Sequence, residues 1–401
     1  MSFWFYICLL LLKDTKLALS FLKTKKDLLN AISVADSIFV FPYYHTGGAE
    51  KVHLKVAQAA IKSGLKPVFV FTGKSSLETY KQQFQKLGIV INLGFRYDST
   101  RLNDDLLSST INTINQSKLK LIFGSNSSFY YQMVGKLNNP YLKVIDLVHA
   151  YNPPFEVSNT HFKDVFHKIN TRIFVNEPSL VKMQSFYQSN LPEIDSSQFK
   201  LIYNSAFNEN TEPIASSDKQ LNGVFKIVFV ARNSTEKRPR IAFEVAKRLT
   251  DKYSGKYQFY MIGDFDSYKT DYNSKDITIV SNLKDADEII KLYQAAHCLM
   301  LTSETEGFPL VISEAMFYNA VPVSTDVGGI PYVLENNKNA ILINSLLDEE
   351  TMCDVFCEKI MTLSSDESYF SKLSSAAFET AKSYFSDSKF SENYKTLFSI
   401  S

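Results

Sequence analysis

The chain of 401 residues is long enough for two ordinary domains, and with 45% apolar and 21% charged residues it is not a disordered chain. Its 43 basic and 42 acidic residues leave a net charge of +1, so a global nucleic-acid footprint is not expected. Cys8, Cys298, Cys353 and Cys357 show no paired metal spacing and fit a reduced, cytoplasmic chain.

At the start, Phe3 to Leu12 is apolar but too short to span a bilayer. Lys13, Lys16, Lys23, Lys25 and Lys26 follow that run instead of preceding it, against the order of a signal peptide. Wound as a helix, Leu10, Leu17, Phe21 and Leu28 share one face, with Lys16, Lys23 and Lys26 opposite. Residues 1–36 therefore read as a helical leader, either lying on the cytoplasmic face of a membrane or packed on its own domain.

Short β-type runs then alternate with helical patterns, the mark of a parallel α/β architecture. Strands are expected at Ser37–Tyr43, Pro67–Thr72, Ile89–Leu93, Leu119–Phe123, Leu142–Val148, Thr171–Val175 and Lys200–Tyr203. A polar stretch at 208–224 reads as a linker. Further strands are expected at Phe225–Val230, Gln258–Ile262, Ile277–Val280, His297–Leu301, Val321–Ser324 and Ala340–Ile343. The expected fold is α/β, with two Rossmann-like, doubly wound domains at 37–207 and 225–376 facing each other across a cleft. A terminal helix is expected within 377–401, with Phe390, Tyr394, Leu397 and Phe398 at helical spacing. In such sheets ligands bind at the carboxyl ends of the strands.

Five stretches at those ends carry candidate chemistry. Gly47 and Gly48 open a helix after the first strand and let the backbone approach a phosphate or sugar, although Gly-x-Gly-x-x-Gly is absent. His149 follows the strand at Leu142–Val148. Arg232 and Lys237 lie in the loop leaving Phe225–Val230, where Arg can clamp two phosphate oxygens and Lys offers a point charge. Asp264-Phe265-Asp266 has the look of a metal-dependent sugar-nucleotide site, but cationic groups already suit a diphosphate and no metal site is assigned. Glu306 and Glu314 have seven residues between them, Glu306 in a loop and Glu314 inside a helix whose first turn holds Pro309. Between the two acids, Gly307, Phe308, Pro309 and Leu310 form a helix N-terminus, a seat for phosphate. Carboxylates on both sides of an anion site suit a ligand with hydroxyls at its ends and phosphates in its middle, such as a nucleotide-sugar. Thr72-Gly73-Lys74-Ser75 is set aside as a phosphate loop, because the upstream glycine would fall at Val68.

The run from Ser303 to Met316, continued by Val321 to Pro331, resembles the donor-site signature of family-4 retaining glycosyltransferases (glycosyl transferases group 1, GT-B fold). The resemblance extends to Gly47-Gly48-Ala49-Glu50 and to the loop with Arg232 and Lys237, where Ala231 and Arg238 stand in place of the usual glycines. It implies a retaining, metal-independent hexosyltransferase without a cofactor, moving a sugar from a nucleoside-diphosphate sugar to a glycan or lipid-linked acceptor. It also implies that Arg232 and Lys237 hold the diphosphate and that Glu306 and Glu314 bind sugar and ribose hydroxyls. His149 would position the transferred sugar. The resemblance further implies that the terminal helix within 377–401 packs back on the first domain. Donor binding would be completed by Gly47, Gly48, Gly307, Phe308, Pro309 and Leu310. The alternatives are a nucleotide-sugar epimerase of similar fold and a catalytically degenerate sugar-binding partner. The latter is kept open by Tyr332, where the family often has Glu.

Overall fold

Strands covered by helices on both faces have no solvent side, so their sequences read as unbroken apolar runs. Ser37–Phe41 (β1) and Pro67–Phe71 (β2) are buried at every position for that reason. The computed structural model describes residues 15–45, 47–75, 77–94, 100–149, 165–190, 195–205, 219, 221–281 and 286–399. The start of the leader, most of the expected linker, the loop at 151–164 and Asn282-Leu283 lie outside the described residues. The chain folds into two units, one made of Met1–Val175, Ser179–Ile202 and Ser391–Ser401, the other of Asn176–Pro178 and Tyr203–Phe390.

In the first unit the order is α1 (Thr15–Val34), β1, α2 (Gly48–Lys62), β2, α3 (Lys81–Leu87), β3 (Ile89–Asn92), α4 (Thr100–Gln116) and β4 (Leu121–Gly124). It continues with α5 (Ser128–Lys136), β5 (Lys143–Val148), β6 (Thr171–Phe174), α6 (Glu177–Asn190) and β7 (Phe199–Leu201). The seven strands form one parallel sheet in the order β3-β2-β1-β4-β5-β6-β7. Alternate side chains take opposite faces. Phe39, Phe41, Phe69, Phe71 and Phe123 make an aromatic layer, with Phe398 edge-on to Phe39 at 5.7 Å between ring centres. Ile38, Val40, Val68, Val70 and Ile122 belong to the opposite layer, which also holds Phe21, Leu28 and Ile32 of α1. Phe21, Leu28 and Ile32 of α1 are thus taken up by the core of this unit. Beneath the sheet edge, Arg172 donates Nε to Asp146 at 2.9 Å and Nη1 to the Tyr187 hydroxyl at 3.1 Å, all buried.

The second unit runs β8 (Phe225–Val230), α7 (Pro239–Lys252), β9 (Tyr257–Ile262), β10 (Ile277–Val280), α8 (Ala286–Ala295), β11 (Cys298–Leu301) and α9 (Leu310–Phe317). It continues with β12 (Val321–Thr325), α10 (Ile330–Val333), β13 (Ile341–Ile343), α11 (Glu349–Ser365) and α12 (Glu367–Phe385), while α13 (Asp387–Phe398) begins in this unit and belongs to the first from Ser391 on. Its six-stranded sheet is again parallel, in the order β10-β9-β8-β11-β12-β13. Cys298, Cys353 and Cys357 are buried free thiols, the last two packed toward the carbonyls of Ile241 and Val245. Among the described residues no helix is long and apolar enough to cross a membrane.

Candidate functional site

In the second sheet the strand order reverses between β8 and β11. A reversal in an open parallel sheet splays the following loops apart and leaves a crevice where ligands collect. The two loops concerned are 231–238 and 302–309, and side chains lace them together. Lys237 Nζ donates to Glu306 Oε1 at 2.6 Å, and Ser303 Oγ donates to the same oxygen at 2.6 Å. Thr302 Oγ1 donates to the carbonyls of Lys237 (2.9 Å) and Arg238 (3.1 Å), and the Glu304 amide donates to the Glu236 carbonyl at 2.8 Å. The Lys237 and Glu306 side chains are 17% and 8% exposed, so this pair is much less screened than a surface bridge.

Arg238 is the unexpected member. Its backbone lies at φ 45°, ψ 53°, the left-handed region that a side chain other than glycine enters at a cost of about 1–2 kcal/mol. The guanidinium holds the turn there by donating Nε to Thr302 O at 2.7 Å and Nη2 to Ser303 O at 2.9 Å. Arg232 behaves differently. Its side chain is 82% exposed and meets Glu236 at 3.3 Å, while Ser234 Oγ fixes that carboxylate at 2.7 Å. The single 3-10 turn Thr235–Lys237 sends Lys237 inward and leaves Arg232 at the rim. The structure therefore brings Lys237 and Glu306 together and does not add Arg232 to the pair.

Below Glu306 two glycines set the height of the loop. Gly328 has φ +58°, and a Cβ there would lie 1.7 Å from Glu306 O. A Cβ on Gly329 would lie 2.3 Å from Gly307 O, which accepts the Gly329 amide at 2.6 Å. Thr325 Oγ1 completes the support by donating to Ser303 O at 2.6 Å. Pro309 is the residue before α9 and not part of its first turn: its ψ of 127° is extended, and the helix starts at Leu310. No side chain caps this N-terminus and no acid stands in its first turn. The Phe308 ring turns away from the loop to stack on Phe385 at 4.7 Å, so what Phe308 offers a ligand is backbone. Glu314 accepts from the Tyr293 hydroxyl at 3.2 Å. Burial first, and the neighbouring Glu314 second, push that hydroxyl's pKa well above the usual tyrosine value.

In the first unit the reversal lies between β1 and β4. Gly47 precedes α2 in extended conformation, and a Cβ there would sit 2.0 Å from Glu50 Oε2. Glycine is needed because the Glu50 carboxylate folds back over the helix start, with His45 Nε2 3.4 Å from its other oxygen. Gly48 has open space beside it. His149 Nε2 lies 2.9 Å from His53 Nε2, a contact between β5's carboxyl end and the buried side of α2. Among the described residues no three His, Cys, Asp or Glu side chains form a metal cluster, and Asp266 is engaged by Lys269 (2.6 Å) and Ser281 (2.7 Å).

Residues 213–380 match the family described as Glycosyl transferases group 1. The chain carries a group 1 glycosyltransferase domain. A probable sucrose-phosphate synthase from Thermosipho melanesiensis is 27% identical over 200 residues, 47% of this chain and 41% of that protein. The match therefore spans less than half the length of that curated relative. A glycosyltransferase from Rickettsia africae has a TM-score of 0.68 at 16% identity, covering 91% of this chain and 98% of that one. Anabaena HepE, solved with UDP and glucose, has a TM-score of 0.65 at 16% identity, covering 90% and 99%. At such identities the structures speak to the fold, which is GT-B.

The glycosyltransferase domain also contains positions that sequence reasoning passed over. Ser303 and Gly328 lie within the signature that carried the resemblance, but nothing in their chemistry tells that one holds Glu306 and the other its carbonyl. Arg238 was read as a missing glycine, whereas its side chain ties the two loops.

Proposed function

We propose that this chain is a retaining, metal-independent glycosyltransferase. It would move a hexose-type sugar from a nucleoside-diphosphate sugar to a glycan or lipid-linked acceptor. The observation that carries this reading is the Lys237–Glu306 pair at 2.6 Å, at the strand-order reversal and beside the uncapped start of α9. Breaking a sugar–phosphate bond develops negative charge on the departing diphosphate, and preorganised cations and amides stabilise that charge without reorganising. Lys237 and the amides of Gly307–Leu310 would receive the diphosphate, with Arg232 swinging in from the rim. Glu306 would bind sugar hydroxyls and Glu314 the ribose, while in the first unit His149 would orient a sugar hydroxyl near Gly47 and Gly48. The leaving phosphate would take the acceptor proton, so no protein base is assigned and no cofactor is called for. A uridine diphosphate hexose is the first donor to try, because UDP and glucose accompany the HepE structure. Membrane contact by the leader draws no support from Phe21, Leu28 and Ile32 of α1, which are buried in the core of the first unit.

The test is release of nucleoside diphosphate from uridine, guanosine and adenosine diphosphate sugars, with and without acceptor, followed by NMR of the product's anomeric configuration. Lys237→Ala should lower kcat about 10²–10³-fold, as for loss of one charge-stabilising group. Unchanged turnover in that variant would remove the assignment. Turnover of the sugar without an acceptor and without nucleotide release would point to an epimerase instead.

A further inference from the structure

The His53–His149 contact has a chemistry of its own. Two imidazole nitrogens at 2.9 Å can share one proton. Two protons between them would collide, and none would set two lone pairs face to face. One ring therefore donates and the other accepts, and burial decides which. His53 is fully buried and stacks on Phe41 at 4.3 Å between ring centres, 13° from parallel. Its Nδ1 is closed off from solvent with no hydrogen-bond partner among the described residues. An N–H stranded in such a place loses its full hydration, whereas a bare ring nitrogen loses less, and buried orphan N–H groups are correspondingly rare. The proton of neutral His53 therefore sits on Nε2 and points at His149. His149 Nε2 must then accept, which leaves the His149 proton on Nδ1. The ring of His149 is half-buried, and its Nδ1 has no partner among the described residues.

We propose that His53 is a positioning residue that locks His149 as the Nδ1–H tautomer, so that His149 presents a hydrogen-bond donor and not a base to an oxygen of its ligand. This deepens the reading of His149 as a sugar-orienting residue and rests on it for the identity of the ligand oxygen, but not for the tautomer. The match is to a hydroxyl or ring oxygen acting as acceptor. Both rings stay neutral near pH 7, since burial pulls His149 down to about 4 and His53 well below its usual value.

The tautomer can be read without any substrate, from side-chain ¹⁵N spectra of the full chain labelled at histidine. The wild type should show His149 protonated at Nδ1 and bare at Nε2, and the reverse pattern would overturn the proposal. His53→Gln keeps an N–H where Nε2 was and should preserve the pattern. His53→Phe keeps the stacking on Phe41 but offers no donor, and should free His149 to populate the other tautomer. In turnover, His53→Phe should lose about tenfold in kcat/KM while His53→Gln stays near wild type. Equal losses in both variants with an unchanged His149 spectrum would reduce His53 to a packing residue. An intact tautomer pattern in a chain with no transferase activity would leave this inference standing and remove the functional reading.

Discussion

Arg238 allows a prediction that runs against the usual rule for left-handed residues. At φ 45°, ψ 53°, replacement by glycine relieves about 1–2 kcal/mol of backbone strain and is ordinarily stabilising or neutral. Here the same change deletes two hydrogen bonds from a charged donor, at 2.7 and 2.9 Å, to the carbonyls of Thr302 and Ser303. Such bonds contribute about 1.5–3 kcal/mol each when well buried. Arg238 is half-buried, so roughly half of that, about 2–3 kcal/mol for the pair, is a fair value. Arg238→Gly should therefore lower the stability of the second unit by about 1 kcal/mol. Arg238→Ala keeps the strain and loses the bonds, and should cost about 2–3 kcal/mol. Urea unfolding followed by hydrogen exchange at the amides of β8 and β11 measures both. A glycine variant as stable as the wild type would show that the guanidinium contributes nothing and that the two loops hold together without it.

Gly328→Ala puts a Cβ 1.7 Å from Glu306 O on a residue at φ +58°, so it should cost about 3 kcal/mol, displace Glu306 and lower Tm and turnover together. Removing Arg172 strands the Asp146 carboxyl, which burial already holds above the usual range against the pull of Arg172 and Tyr131. Arg172→Met should cost about 3–5 kcal/mol near pH 7, and the deficit should shrink as the pH falls and the carboxyl protonates; Asp146→Leu with Arg172→Met should recover most of it in urea melts. His149 has a folded pKa depressed by burial from 6.5 to about 4, so its contribution is full above pH 6.5 and fades as the pH falls toward 4. The first unit should lose about 3 kcal/mol across that window by urea titration, and a flat profile would contradict the buried pair.

The strands were legible because burial on both faces writes itself as uninterrupted apolar runs, and Pro42 and Gly124 mark where β1 and β4 stop or narrow. Sheet order was not, since nothing local in Phe225–Val230 says that β11 lies beside it and not β10. Within the site, Glu306 and Lys237 were read as serving one ligand, while their direct contact spans 69 positions of sequence and has no local trace. Arg232 was given the same role as Lys237, because a guanidinium suits phosphate. The short 3-10 turn that aims it at Glu236 depends on Ser234 and on the Arg238 tie, neither of which a charge pattern reveals. The face of α1 was readable as amphipathic, while the sheet that covers it was not.

Both helix starts, at Gly47-Gly48 and at Gly307–Leu310, were read from sequence as able to meet a phosphate, the first alternatively a sugar, and their side chains make them opposites. At α2 the Glu50 carboxylate is folded over Gly47, so the positive end of the helix is already neutralised by an acid in its first turn. An incoming phosphate there would meet a carboxylate, whereas a sugar hydroxyl would find an acceptor. Elsewhere in the second unit, α11 and α12 are closed by Asp348 and Asp366, each accepting a backbone amide of its own first turn. The start of α9 has neither device: Pro309 offers no side-chain cap, its first turn has no acid, and Lys237 stands at the adjoining loop. Glu306, in the loop before it, is held by Lys237 and Ser303 through a single oxygen. Under the proposed function, charge placement thus favours the start of α9 over that of α2 as the seat for a diphosphate.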